Sequence, residues 1–233
     1  MALPVIEAPK YHLTIPSNGQ SIEYRPFLVK EEKILLIAQE ANTQSSIISA
    51  MKDIIKACTF NEVDLYKLTM TDLEYILLNI RARSVGESSS IRVKCSECDH
   101  YNSVEIDLTS INVIEGTTKE SNVKLTETVG VTLKSPGLKD VERSSKSKGS
   151  NQFSDAITSV IESIYDENQV YPLDNATPKE VDDFVDSLST EQVLKIQNWV
   201  DSLPRLEHVV TFVCEKCGHE NTVTLKGLND FFE

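Results

Sequence analysis

The amino-acid sequence predicts an α+β protein in which helices pack around a small β element, and three observations lead there. Alternating apolar positions on both sides of Ser17-Asn18-Gly19 give an N-terminal β-hairpin. Several stretches space their apolar residues as one face of a helix requires. A short hairpin is also written twice, as IRVKCSECDHYNSVEI at residues 91–106 and VTFVCEKCGHENTVTL at 210–225.

Taken in order, residues 1–30 form the hairpin segment and residues 31–90 a helical region. From Glu31 to Cys58 the positions Ile34, Ile37, Ala41, Ile48, Met51, Ile55 and Cys58 line one face, which predicts a single long amphipathic helix. Gln44 is the polar residue within that stripe, where a bend or a buried polar contact is expected. In LTMTDLEYILLNIRARSVG, Thr71 reads as an N-cap, Leu73, Ile76, Leu77 and Ile80 as the buried face, and Gly86 as the stop.

Residues 110–207 read as an insertion. SNVKLTETVGVTLKSPG predicts a β-hairpin turning at 127–130, and the Ser/Lys-rich LKDVERSSKSKGSNQF predicts a mobile loop. FSDAITSVIESIY, with Ile157, Ile161 and Ile164 at helical spacing, predicts a helix. Two acidic helices follow, one opened by Thr177, Pro178 and Glu180, the other by Ser189 and Gln192. The second of these buries Val193, Ile196, Val200 and Leu203 and ends before Pro204.

Composition narrows the functional classes. The 233 residues carry 36 acids against 23 bases, a net charge of −13, and residues 151–207 alone hold 12 acids and 3 bases. Such a surface repels phosphate backbones, so no nucleic-acid partner is expected. No apolar run approaches the roughly 18 residues that span a bilayer, so no membrane is expected either. The start MALPVIEAPKYHLTI lacks a basic segment followed by an apolar one, which points to a reducing cytoplasm.

Aligned on their first cysteines, the two copies match Cys95 with Cys214, Cys98 with Cys217, His100 with His219, Asn102 with Asn221 and Val104 with Val223. A Cys-x-x-Cys turn between strands is the knuckle of a zinc ribbon, and each knuckle supplies two of the four thiolates a tetrahedral zinc requires. The expectation is therefore one structural Zn²⁺ held by Cys95, Cys98, Cys214 and Cys217, with residues 91–109 and 208–228 as the halves of one split ribbon. A redox pair would need a strand-to-helix junction, and two separate sites using His100 and His219 would each lack a fourth ligand. The two histidines are expected beside the knuckles, outside the ligand set. Cys58 reads as a small core residue. No phosphate-binding loop, nucleophile elbow or His-Glu-x-x-His pattern is present, and no catalytic or cofactor-binding residue is expected beyond the zinc ligands.

DLEYILLNIRARSVGE at 72–87, followed by the first knuckle and then VKLTETVGVTLKSPG, resembles the T4-type bacteriophage baseplate hub and hub-assembly protein family. The order of elements over residues 20–137 is similar too. The resemblance implies a non-enzymatic hub component, or a protein needed to assemble the hub, in a contractile-tailed phage. Its partners would be other baseplate and tail proteins. It would work in the host cytoplasm during assembly and, if retained, in the virion tail baseplate. The competing reading is a phage zinc-ribbon transcription or nucleic-acid-binding factor, which would call for Lys and Arg around the knuckles. Residues 210–225 hold only Lys216 against Glu215 and Glu220.

Overall fold

Strands Tyr11–Thr14 (β1) and Ser21–Tyr24 (β2) pair antiparallel, with Tyr11 opposite Tyr24 and Thr14 opposite Ser21. Gly19 takes φ 70° in their connection, a conformation that costs glycine little. The computed structural model that shows this describes residues 6–41, 43–117, 120–146 and 152–231. The chain divides into two units, Met1–Ile114 with Arg205–Glu233, and Glu115–Pro204.

The single helix expected over 31–58 is two, Val29–Ala41 (α1) and Gln44–Cys58 (α2). Thr43 is the reason: it is extended at φ −118°, and its side chain accepts the Ser46 N–H, which starts a new helix. The break resets the helical register. Ile48, Ile55 and Cys58 are buried, but Ile37 is 66% exposed. α1 is anchored at its start instead, where buried Glu31 accepts the Leu28 N–H and pairs with Arg25 at 2.8 Å.

Met70–Val85 (α3) is capped by Thr69, two residues before the expected Thr71. Asp72 decides this, because its carboxylate accepts the Thr69 N–H and hydroxyl while the Thr69 hydroxyl accepts the Asp72 N–H, a reciprocal capping box. The other Asp72 oxygen accepts the Ser17 N–H at 3.0 Å and ties the β1–β2 connection to α3. Leu73, Ile76 and Ile80 are buried as expected, whereas Leu78 and not Leu77 completes the core face. Gly86 ends the helix. The segment that carries the family resemblance is thus the central packing helix of this unit.

Ser88–Lys94 (β3) and Tyr101–Asp107 (β4) form the first cysteine hairpin, and Asn112–Ile114 (β5) follows. In the second unit, Asn122–Lys124 (β6) and Gly130–Leu133 (β7) are the expected strands around 127–130. They belong to a four-stranded sheet. Leu138–Lys146 (α4) occupies most of the segment expected as a mobile loop, because Leu138 is fully buried and Asp140 accepts the Gly137 N–H and pairs with Lys134. Of the rest of that segment, residues 147–151 lie outside the described residues, and 152–153 begin the next helix.

The helix expected through Ile164 stops as Gln152–Val160 (α5), and Ile161–Tyr165 (β8) continues as a strand. Ile161 and Ser163 are buried and Glu162 is exposed, so period-2 burial between β7 and Val170–Pro172 (β9) overrides the helical spacing. The order is β6-β7-β8-β9. A Cβ at Gly130 would run into the outer edge of the Tyr165 ring, so glycine leaves that ring its place over β7. Pro178–Asp186 (α6) and Thr190–Asp201 (α7) both open with the expected capping boxes. Ile196 and Trp199 of α7 join Val131, Leu133 and Ile161 in the core of this unit.

The chain re-enters the first unit as Arg205–Val213 (β10), Glu220–Lys226 (β11) and Gly227–Asp230 (α8). β10 pairs with β11 on one side and with β5 on the other, Arg205 opposite Ile114, so the segments that leave and rejoin the unit are neighbouring antiparallel strands. Leu78 and Ala82 of α3 share one core with Ile91, Val93, Ile106, Leu206, Val210 and Leu225 from both hairpins. Among the described residues no helix is long and apolar enough to cross a membrane.

Candidate metal centre

Each Cys-x-x-Cys turn is shaped by the same two backbone hydrogen bonds. In the first, the Cys95 N–H donates to His100 O at 2.8 Å and the Asp99 N–H to Cys95 O at 3.1 Å. In the second, the Cys214 N–H donates to His219 O and the Gly218 N–H to Cys214 O, both at 2.9 Å. The residue after the second cysteine must turn left-handed, and Asp99 (φ 56°) and Gly218 (φ 74°) do so. Glycine adopts this conformation freely, and aspartate is among the side chains that tolerate it. Asp99 also pairs with Lys94 at 2.8 Å.

The shared core of the two hairpins brings the turns together. Cys95 Sγ lies 3.8 Å from Cys217 Sγ, and Cys98 Sγ lies 3.6 Å from Cys214 Sγ. All four ligand atoms fall within 4.8 Å of one another, and none of the cysteines is in a disulfide. Zinc–thiolate bonds of about 2.3 Å in a tetrahedron place neighbouring sulfurs about 3.8 Å apart. The cross-hairpin spacings fit that figure, so the donor set suits a four-thiolate cation. Cys95 and Cys214 are buried, Cys98 is half-buried and Cys217 is exposed.

Local dipoles favour thiolates at the buried pair. Burial pushes the Cys95 thiol up, but the backbone N–H groups of Cys98 and Glu97 and the Asn221 amide outweigh it and bring the group below its ordinary value. Burial raises Cys214 likewise, and the N–H groups of Cys217 and Lys216, with the Cys217 and Cys98 thiols, bring it down to about 6. The His219 N–H lowers Cys217, but the Cys98 thiol, burial, and the Cys214 and Cys95 sulfurs together push it up to about 12. Adjacent sulfurs resist carrying several negative charges at once, and a divalent cation relieves that repulsion.

Among the described residues, the group able to hold a metal consists of these four cysteines, and the imidazoles of His100 and His219 are not in it. The histidines contribute their carbonyls to the turns instead. Cys58 sits elsewhere, fully buried at the end of α2 near Arg25, and burial pushes its thiol up to about 11. Two functional positions escape a sequence reading that looks for ligands. Asn102 and Asn221 are buried, and each side-chain oxygen accepts a backbone N–H of the opposite turn, from Glu215 and Ser96 respectively. Their signal was their matched place in the two copies.

Fold and site together define a protein of two mixed α/β units in which paired Cys-x-x-Cys hairpins from distant segments meet in a four-sulfur cluster. The chain belongs to the T4 bacteriophage base plate protein family, which it matches over residues 8–233. It is similar to the baseplate hub assembly protein gp26 of Enterobacteria phage T4, with 25% identity over 227 residues that cover 96% of this chain and 98% of that protein. No solved structure matches it.

Proposed function

We propose that this chain is a non-enzymatic component of a contractile-tailed phage baseplate hub, acting in hub assembly through contacts with other baseplate and tail proteins. The observation that carries the proposal is the near end-to-end similarity to a hub assembly protein within a base plate family. Work in the host cytoplasm during assembly, and a place in the tail baseplate if the protein is retained, follow from the same reading. The acidic composition, net −13, supports protein partners over phosphate backbones.

One structural Zn²⁺ bound by Cys95, Cys98, Cys214 and Cys217 completes the proposal, with 91–109 and 208–228 as halves of one ribbon and 110–207 inserted between them. The sulfur spacings support it. When bound, the ion cross-links two segments separated by 115 residues and, with four protein ligands, has no open position for a substrate. Closing so long a loop carries an entropic cost. Structural zinc in finger peptides contributes an apparent 10–16 kcal/mol or so, enough to offset it. The residues of this chain would hold the hairpins in register, so that the surrounding helical faces are presented rigidly to partners.

An in vitro hub assembly reaction tests the function. Omitting the protein should block complete hubs, and adding it back should restore them. Normal hubs formed without it, combined with tight and salt-sensitive binding of the protein to DNA or RNA, would replace this reading with the nucleic-acid one.

A further inference from the structure

The two cysteine hairpins exchange one side chain each. Asn221 of the second hairpin directs Nδ2 to Cys95 Sγ of the first at 3.5 Å, while its Oδ1 accepts the Ser96 N–H at 2.9 Å. Asn102 of the first directs Nδ2 to Cys214 Sγ of the second at 3.7 Å, while its Oδ1 accepts the Glu215 N–H at 2.9 Å. Each amide also donates to a carbonyl of its own turn, Asn221 to His219 at 2.9 Å and Asn102 to His100 at 3.1 Å.

These contacts have a demanding chemistry. Both asparagines are almost fully buried, at 3% and 4% exposure, so their polar atoms need protein partners. The environment asks a short planar group for two donated hydrogens and an acceptor oxygen, and the Asn221 oxygen takes the Ser96 hydroxyl at 3.0 Å as well as its N–H. Aspartate has no hydrogen to donate to the sulfur when ionised, and glutamine is one methylene too long for the same cavity. The hydrogen bonds also run between hairpins. In each case the sulfur addressed is the first cysteine of the opposite turn, and the N–H accepted belongs to the residue that follows it.

We infer that Asn102 and Asn221 are positioning residues of the four-sulfur centre, each setting the register of the opposite hairpin and stabilising its first cysteine as a negatively charged sulfur ligand. For the identity of the ion this rests on the zinc reading above; for the exchange itself it rests on the hydrogen bonds alone. Groups that orient a metal's ligands typically carry about 10- to 100-fold in metal affinity.

The test uses the full chain and its Asn102→Asp and Asn221→Asp variants, with Ser90→Ala as a control that removes only the exposed Ser90–Ser103 hydroxyl contact on the same hairpin. Zn²⁺ affinity is measured by chelator competition, and cysteine accessibility by iodoacetamide labelling mapped by mass spectrometry. Each Asp variant should bind Zn²⁺ about 10- to 100-fold more weakly, and the control should match the parent. Labelling should rise first at Cys214 in Asn102→Asp and at Cys95 in Asn221→Asp, the cysteine on the opposite hairpin. A role confined to folding each hairpin would instead expose cysteines of the mutated hairpin, and that pattern, or unchanged affinity, would overturn the inference. If an Asp variant does not fold, the Asn→Ala chain, which removes the amide without adding charge, is read by the same two measurements. A parent chain that binds no Zn²⁺ but keeps the cross-hairpin labelling pattern would sink the zinc reading and leave the positioning role standing.

Discussion

The sulfurs of Cys95 and Cys217 lie 3.8 Å apart, although the two residues are separated by 122 positions in the chain and sit on hairpins of different sheets. Neither hairpin alone provides more than two sulfurs. Zinc is therefore expected at about one atom per chain, with Cys95→Ser and Cys217→Ser causing similar losses. Metal analysis that finds two atoms per chain, or full metal in either variant, would refute a joined site. Chelation should lower the melting midpoint by roughly 2–4 °C for each kcal/mol the ion contributes.

His100 and His219 contribute backbone carbonyls to their turns, and their rings are outside the sulfur cluster. The double His→Ala chain is expected to retain stoichiometric zinc. Loss of the ion from that chain would mean that four cysteines are insufficient.

The two left-handed turn positions give an asymmetric pair of mutants. Gly218→Ala places a Cβ at φ 74° and should destabilise the protein by about 1 kcal/mol. Asp99→Gly relieves the same conformation at φ 56° and loses only an exposed ion pair, so it should destabilise the protein less than Gly218→Ala does. Thermal denaturation of the two variants checks this, and equal losses would contradict the assignment of strain.

Asp72 serves the Thr69 cap and the Ser17 N–H from one buried carboxylate. Asp72→Ala leaves those donors unpaired and should cost about 2–3 kcal/mol, whereas Asp72→Asn, which keeps one oxygen acceptor, should cost less. Urea denaturation that ranks the two variants equally would indicate that the cap contributes nothing beyond side-chain volume.

Cys58 offers a pH-dependent test. Its folded-state thiol is raised from an ordinary 9.0 to about 11 by burial. A thiol raised on folding contributes stability that is complete below the unfolded value and is lost as pH climbs through the folded one. Stability should therefore fall between about pH 9 and 11, and Cys58→Ala should flatten that part of the curve, though at a lower baseline because a buried sulfur is removed. An unchanged alkaline slope in Cys58→Ala would show that other groups cause the loss.

Much of the fold was legible because its signals are short-range. The Ser17-Asn18-Gly19 turn, the Thr177/Glu180 and Ser189/Gln192 capping boxes and the repeated Cys-x-x-Cys hairpin each act within a few residues, so composition and spacing suffice to reveal them. Thr43 and Thr69 were harder, since a mild apolar stripe masks the first cap and the second depends on burial of Asp72. The resemblance carried by 72–87 named the family that the match over residues 8–233 shows.

What only the tertiary structure decided are the pairings between distant residues. Ile161 and Ile164 keep helical spacing, yet backbone hydrogen bonds to β7 and β9 turn them into a strand. Leu138 helps make a helix of a Ser/Lys-rich stretch because a core is there to receive it. The four sulfurs were each visible, but their spacing, and the exchange of Asn102 and Asn221 between hairpins, follow from the packing of both hairpins on α3. By itself the sequence determined the local turns, the Thr177 and Ser189 caps and the doubled Cys-x-x-Cys pattern, because these depend on steric and hydrogen-bonding preferences of adjacent residues. Which donors meet depends on burying apolar surface contributed by segments more than a hundred residues apart, and local preferences carry no information about that.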